Sequence, residues 1–109
     1  DTRFGASGDF KYGLNETALG MSLPVFGIQL ASARLSRRHL TRAVTQATIY
    51  DSQQAVDVGF LDALHPADDL LDRSIEEAAR LGEYDTTAYH FNKVAWRQPY
   101  IDVIEASLA

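Results

Sequence analysis

The sequence predicts an α/β chain that is mostly helical and carries two short strands. Three observations lead there. Apolar residues recur at i, i+3, i+4 and i+7 over most of the second half of the chain. Compact strand-like runs occur only near the amino terminus and at Phe60–Leu64. Glycine and proline fall where such elements should stop. Two isolated strands do not form a stable sheet by themselves, so these two need partners that the segment does not supply.

Taken in order, Asp1–Gly5 reads as extended, and Gly5, Gly8 and Gly13 punctuate the loop that follows. From Ser36 to Tyr50, Leu40, Ala43, Val44 and Ala47 predict a helix, with Arg38, Arg42 and Thr45 on its opposite side. Asp51 or Ser52 caps a short helix through Ala55 and Val58, which Gly59 ends in a left-handed conformation. "FLDAL", closed by His65-Pro66, reads as the second strand. Asp68 and Asp69 then open a helix whose buried face is Leu71, Ile75, Ala78 and Ala79. Gly82 ends it, and Asp69–Arg73 and Glu76–Arg80 form surface pairs. Asp85 or Thr86 caps a further helix with Ala88, Phe91, Val94 and Ala95 inward. Pro99 suits the first turn of a last one bearing Ile101, Ile104 and Leu108.

Length bounds the chain to one domain, and 46% hydrophobic with 23% charged residues is ordinary globular usage. Fifteen acids against ten Lys and Arg give a net charge of −5, which argues against nucleic acid or an anionic membrane as the main partner. Cysteine is absent, so disulfides, thiolate nucleophiles and cysteine-based metal sites are excluded; a reducing, cytoplasmic compartment fits. His39, His65 and His90 lie 26 and 25 positions apart, without ligand-like spacing, and no metal site is expected. No apolar run approaches the roughly 18 residues of a membrane span. The only methionine is Met21, so the expectation is that Asp1 is not an initiator and that a longer chain was cut.

One stretch raises a functional question. "FKYGLNETALGMSLPVFGIQLA", from Phe10 to Ala31, holds a single carboxylate, Glu16, among Leu14, Leu19, Met21, Leu23 and Phe26. Either Glu16 reaches solvent or caps a helix, or it is an acid kept in an apolar pocket for chemistry. Other candidates read as scaffolding. Arg34, Arg37, Arg38 and Arg42 can meet a phosphate but fit a solvated helix face better. Lys93, with Tyr89 and Trp96 at i−4 and i+3, is a cation among aromatics. A nucleic-acid reading treats Ser36–Phe60 as two helices around a turn. Its second helix offers Asp51, Gln53, Gln54 and Asp57 and no basic residue to a duplex.

The order of features carries a resemblance. Phe10, "NETALG" (Asn15–Gly20), Pro24 with a following helix, and "AVDVGFLDALHP" (Ala55–Pro66) are similar to the second half of the crotonase superfamily, the enoyl-CoA hydratase/isomerase family. The helix from Asp68 to Leu81 matches in place and character. Three departures fall at the acyl pocket. Asn15 stands where the family usually has proline, Val25-Phe26-Gly27-Ile28 replaces its Gly-rich turn, and three residues separate Gly20 from Pro24 where two are common.

The resemblance implies a crotonase-like fold. Residues 1–66 are then the second half of its core and residues 67–109 a helical carboxy-terminal region. An amino-terminal half carries the CoA-binding strands, the oxyanion-hole N–H groups and the first of two glutamates found in hydratases. Glu16 matches the second glutamate, which moves a proton in enoyl-CoA hydration or, alone, shuttles it in double-bond isomerisation. Leu14, Gly20, Met21, Leu23 and Phe26 become candidate substrate-binding residues. The implied partners are an acyl-CoA thioester of fatty acid metabolism, with coenzyme A as part of the substrate and no separate cofactor, the amino-terminal half, and copies of the chain in a trimer or hexamer. Phe91, Trp96, Tyr100 and Ile104 are then candidate interface residues. An inactive crotonase-fold scaffold for assembly is the competing reading, because resemblance in fold alone does not carry chemistry.

Overall fold

A computed structural model describes all 109 residues. The elements run β1 (Phe4–Ala6), β2 (Tyr12–Gly13), α1 (Val25–Arg34), α2 (Leu40–Val44), β3 (Ile49–Tyr50), α3 (Ser52–Val58), β4 (Ala63–His65), α4 (Leu70–Gly82) and α5 (Thr86–Ser107). Short 3-10 turns at Thr17–Leu19, Arg37–His39 and Ala67–Asp69 lead into or between them. β1 pairs in parallel with β4, Phe4 opposite Ala63 and Ala6 opposite His65. β2 pairs antiparallel with β3, Tyr12 opposite Tyr50 and Gly13 opposite Ile49.

The core is small and lies under the first three helices. Ala31 and Leu35 of α1, Ala43 of α2, Tyr50 of β3 and Val58 of α3 form it, with Leu14, Leu40, Val44 and Phe60 packed around it. Its assembly rests on the end of α3. Asp51 and Gln54 close a reciprocal capping box at the start of that helix, and Gly59 ends it at φ +106°. There the chain passes so close to the end of α1 that a Cβ on Gly59 would stand 2.8 Å from the Arg34 carbonyl oxygen and 3.2 Å from Leu35 Cα. The Ser36 amide donates to the Val58 carbonyl at 2.8 Å across the same junction. Arg3, just before β1, completes it, donating from Nη2 to the Gly59 carbonyl at 2.7 Å, while its backbone N–H donates to Asp62 Oδ2.

Several elements differ from the sequence reading. The helix expected over Ser36–Tyr50 stops at Val44, because Ala47 turns into the left-handed region (φ 51°) and the β-branched Thr48 and Ile49 continue as β3. Seven residues including a strand thus separate α2 from α3, too many for the three- or four-residue turn of a helix-turn-helix reader. The strand placed at Phe60–Leu64 begins at Ala63, because Leu61 is drawn into the interior with its amide donating to the Ala55 carbonyl. α1 gives no clear periodicity because Val25, Phe26, Ile28, Leu30 and Ala31 surround its axis. Pro99 lies inside a single 22-residue α5 instead of opening a new helix, and Gln98 reaches across it to Asp102 at 2.7 Å.

The faces of the last two helices also differ from expectation. Leu71 and Ile75 are 71% and 58% exposed, Phe91 is 69% exposed, and Ala78, Ala79, Ala88, Val94 and Ala95 are exposed too. α4 and α5 contribute no buried residue. The surface pairs are Arg73–Glu76 and Glu77–Arg80, one turn apart at i, i+3 instead of the expected i, i+4. A 12.1 kDa protein ordinarily exposes roughly 6,000 Å² and has a radius of gyration of about 13 Å. This chain exposes 7622 Å² and has a radius of 15.8 Å. Large exposed hydrophobic side chains on α4 and α5 contribute to that excess.

Two stability outcomes follow for the protein that carries this segment. Gly59→Ala forces a Cβ into the Arg34 carbonyl at a φ that L-residues rarely adopt, and thermal unfolding should show a loss of at least about 2 kcal/mol. Ala47→Gly removes the left-handed penalty of roughly 1–2 kcal/mol at the expense of some chain entropy, so the same measurement should show an unchanged or slightly raised Tm.

Candidate active site

Glu16 opens the 3-10 turn Thr17–Leu19, and its carbonyl anchors the loop. The Leu19 amide donates to it at 3.0 Å and the Met21 amide at 2.9 Å, while the Gly20 amide reaches the Thr17 carbonyl at 3.2 Å. Gly20 closes the turn at φ 70°. The backbone of Glu16 is thereby fixed from its downstream side.

The side chain is a separate matter. It makes no capping hydrogen bond to the turn that it begins. One carboxyl oxygen, Oε2, is buried and has no hydrogen-bond partner. A buried carboxyl oxygen without a donor costs free energy that a water or a bound molecule must recover. Of the answers left open by the sequence, helix capping is thus removed, and simple exposure to solvent does not describe Oε2.

The residues expected beside it take up different positions. Leu14 is half-buried and packs on the core cluster. Leu23 is half-buried, with its side chain against the first turn of α1 at Gly27. Met21 and Phe26 are 60% and 52% exposed. Gly20 is exposed, and a Cβ there would meet nothing within 4 Å. With Leu19, Val25 and Ile49, which are also exposed, Met21 and Phe26 put an unusual concentration of apolar side chains in the segments around Glu16.

The loop has an upstream anchor that sequence reasoning missed. The β2–β3 ladder fixes Tyr12 and Gly13, three residues before Glu16, against Ile49 and Tyr50. Two-residue strands lie below any periodicity signal, and the helical reading of Ser36–Tyr50 hid β3. The run Thr48-Ile49-Tyr50, β-branched and aromatic, was the available cue.

Elsewhere, a cavity of about 490 Å³ opens between the start of the chain, α4 and α5, lined by Phe4, Glu77, Leu81, Tyr89, His90 and Lys93 among others. No residue of the Glu16 loop lines it. Lys93 pairs with Asp1 at 2.6 Å, and Arg34 donates to the Asp1 carbonyl at 3.2 Å. Arg37, Arg38 and Arg42 are exposed. No group of three or more His, Asp and Glu is placed to hold a metal ion, and no helix is long and apolar enough to cross a membrane.

Set beside known proteins, this arrangement has clear relatives. The sequence model of the family described as "Enoyl-CoA hydratase/isomerase" matches residues 5–109. An enoyl-CoA hydratase/isomerase family protein from Pseudomonas syringae is 33% identical with a TM-score of 0.92, over 98% of this chain and 46% of that one. A probable enoyl-CoA hydratase from Mycobacterium tuberculosis is 24% identical with a TM-score of 0.90, over 98% and 45%. Human mitochondrial delta3-delta2-enoyl-CoA isomerase is 23% identical with a TM-score of 0.84, over 92% and 39%. Among curated proteins, none matches the chain. The chain belongs to the enoyl-CoA hydratase/isomerase family and has the crotonase fold, of which it forms a part. It spans about half the length of the solved structures that it matches.

Proposed function

We propose that this segment is the glutamate-bearing half of an acyl-CoA enzyme and that Glu16 moves the proton in hydration of an enoyl-CoA double bond or in its migration along the acyl chain. Family membership supports the acyl-CoA substrate class. The observation that carries the role of Glu16 is its buried, unpartnered Oε2 on a backbone held from both sides.

A thioester makes its α-protons acidic, and along an enoyl chain its γ-protons as well. In hydration, water oxygen bonds to the β-carbon, a water proton goes to a carboxylate, and a proton is delivered to the α-carbon as the enolate collapses. In migration, one carboxylate takes a proton from one of the α- and γ-carbons and returns it to the other. Either step needs a carboxyl oxygen free of internal hydrogen bonds and aimed at the acyl chain. The thioester oxygen is stabilised by donors belonging to the rest of the domain, which the polypeptide outside this segment supplies. Leu14, Leu23, Met21 and Phe26, with Gly20 leaving space, form the acyl side of the site. Coenzyme A enters as part of the thioester.

The uncovered apolar faces of α4 and α5 fit two kinds of cover, the other half of the domain and further copies in a trimer or hexamer. Phe91 and Trp96 are the most exposed candidates, while Tyr100 and Ile104 are half-buried.

Glu16→Gln in the complete domain keeps the side chain's shape and removes its basicity. Turnover of 2-enoyl-CoA hydration or 3-enoyl-CoA isomerisation should fall by about 100-fold or more, the scale of one general acid–base group, with binding of the acyl-CoA retained. Turnover near the unmodified rate would remove Glu16 from the mechanism, and no turnover by the unmodified domain would favour the inactive scaffold.

A further inference from the structure

Glu16 is held downstream by hydrogen bonds to its own carbonyl, but upstream the chain reaches it from β2, whose place is dictated by a distant segment. That segment, β3, is fixed independently of the Glu16 loop. At one end the Thr48 amide donates to the Arg42 carbonyl at 3.2 Å and Ala47 makes its left-handed turn. At the other, Asp51 Oδ1 accepts from the Gln54 amide at 2.8 Å and Gln54 Oε1 accepts from the Asp51 amide at 2.9 Å. Tyr50 is 6% exposed in the core, so β3 cannot drift without opening that core. β3 is therefore a rigid rail.

The strand leading to the loop comes close to this rail at Gly13. A Cβ on Gly13 would stand 2.5 Å from Ile49 Cδ1, 3.0 Å from the Thr48 carbonyl oxygen and 3.4 Å from Ile49 Cα. The first atom is the end of a side chain and can turn away. The second is backbone and cannot. An alanine at Gly13 therefore makes β2 and β3 give by a few tenths of an ångström, and only Leu14 and Asn15 separate that displacement from Glu16. Ile49 itself is 48% exposed, so its side chain covers Gly13 without belonging to the buried core.

We propose that Gly13 and Ile49 are positioning residues that set the height of the Glu16 carboxyl above the acyl chain. The proposal rests on the proton-transfer reading of Glu16. A backbone rail matters to such a reaction because a misplacement of about 1 Å at the reacting atoms can lower the rate by roughly 100-fold while binding is preserved.

The test compares four variants of the complete domain with a 2-enoyl-CoA or 3-enoyl-CoA substrate: Gly13→Ala, Gly13→Ala with Ile49→Val, Ile49→Gly, and Glu16→Gln. Gly13→Ala should lower kcat by about tenfold or more with KM little changed, a part of the full misplacement effect. Adding Ile49→Val, which deletes the clashing Cδ1, should recover part of that loss. Ile49→Gly adds no volume and removes nothing from the core, so it keeps the test open if Gly13→Ala does not fold. It should lower kcat severalfold at unchanged KM, with Tm lowered by only a few degrees, the scale of one glycine in a strand. The proposal is overturned if Glu16→Gln abolishes turnover while Gly13→Ala and Ile49→Gly both keep kcat within about twofold. It is overturned equally if their kcat, KM and Tm fall together without rescue. If Glu16→Gln itself leaves turnover intact, the reading of Glu16 fails instead, and the two failures are told apart by that control.

Discussion

The structure depends on the close approach of two helix ends at Gly59. There the ends of α1 and α3 meet the residue that leads into β1, and no side chain fits between the Arg34 carbonyl and the Gly59 Cα. The junction satisfies polar groups that helix ends otherwise leave open: Val58 accepts from Ser36, and Gly59 accepts from Arg3. With α3 fixed, its capped start holds β3, and β3 in turn holds the strand that leads to Glu16. A backbone contact at Gly59, more than forty residues beyond Glu16 in the sequence, thus bears on where one carboxylate stands.

The segment builds a local core without closing a domain. Nine residues are buried, all but one of them between Ala31 and Leu61; the exception is Gly5. The two long helices at the end pack beside it, α5 against α1 and α4 against β1, with many of their apolar residues exposed. Such faces are stable only when covered. The relatives, whose chains are about twice as long, show the scale of what the fold comprises beyond these residues.

The elements readable from sequence are those with a local cause. Asp51 and Asp85 cap the helices that the residue pattern assigned to them, and Gly59 ends α3 as expected from its position after Val58. The strand before Pro66 was legible as a short apolar run and the one near the amino terminus from the extended character of Asp1–Gly5, but that the two pair with each other was not. What failed was decided by tertiary contact. The inward faces assigned to α4 and α5 assume that a helix buries its apolar side within its own segment, and here it does not. The break after Val44 depends on a left-handed alanine, which no propensity announces, and β3 is a two-residue strand whose ladder partner, β2, lies far away in the sequence. At the site, Glu16 was conspicuous as a lone acid among apolar residues. That its Oε2 is both buried and unpartnered required the folded loop.

The central claim is that this free oxygen exchanges a proton with the acyl chain of a bound thioester. Solvent exchange tests it most directly, without presuming hydration or migration. The complete domain is incubated with a saturated acyl-CoA in deuterium oxide, and incorporation at the α-carbon is followed by mass spectrometry, for the unmodified protein and for Glu16→Gln. The account predicts steady incorporation by the first and none above background by the second, with equal acyl-CoA binding by both. Incorporation at the same rate by the glutamine variant would contradict it.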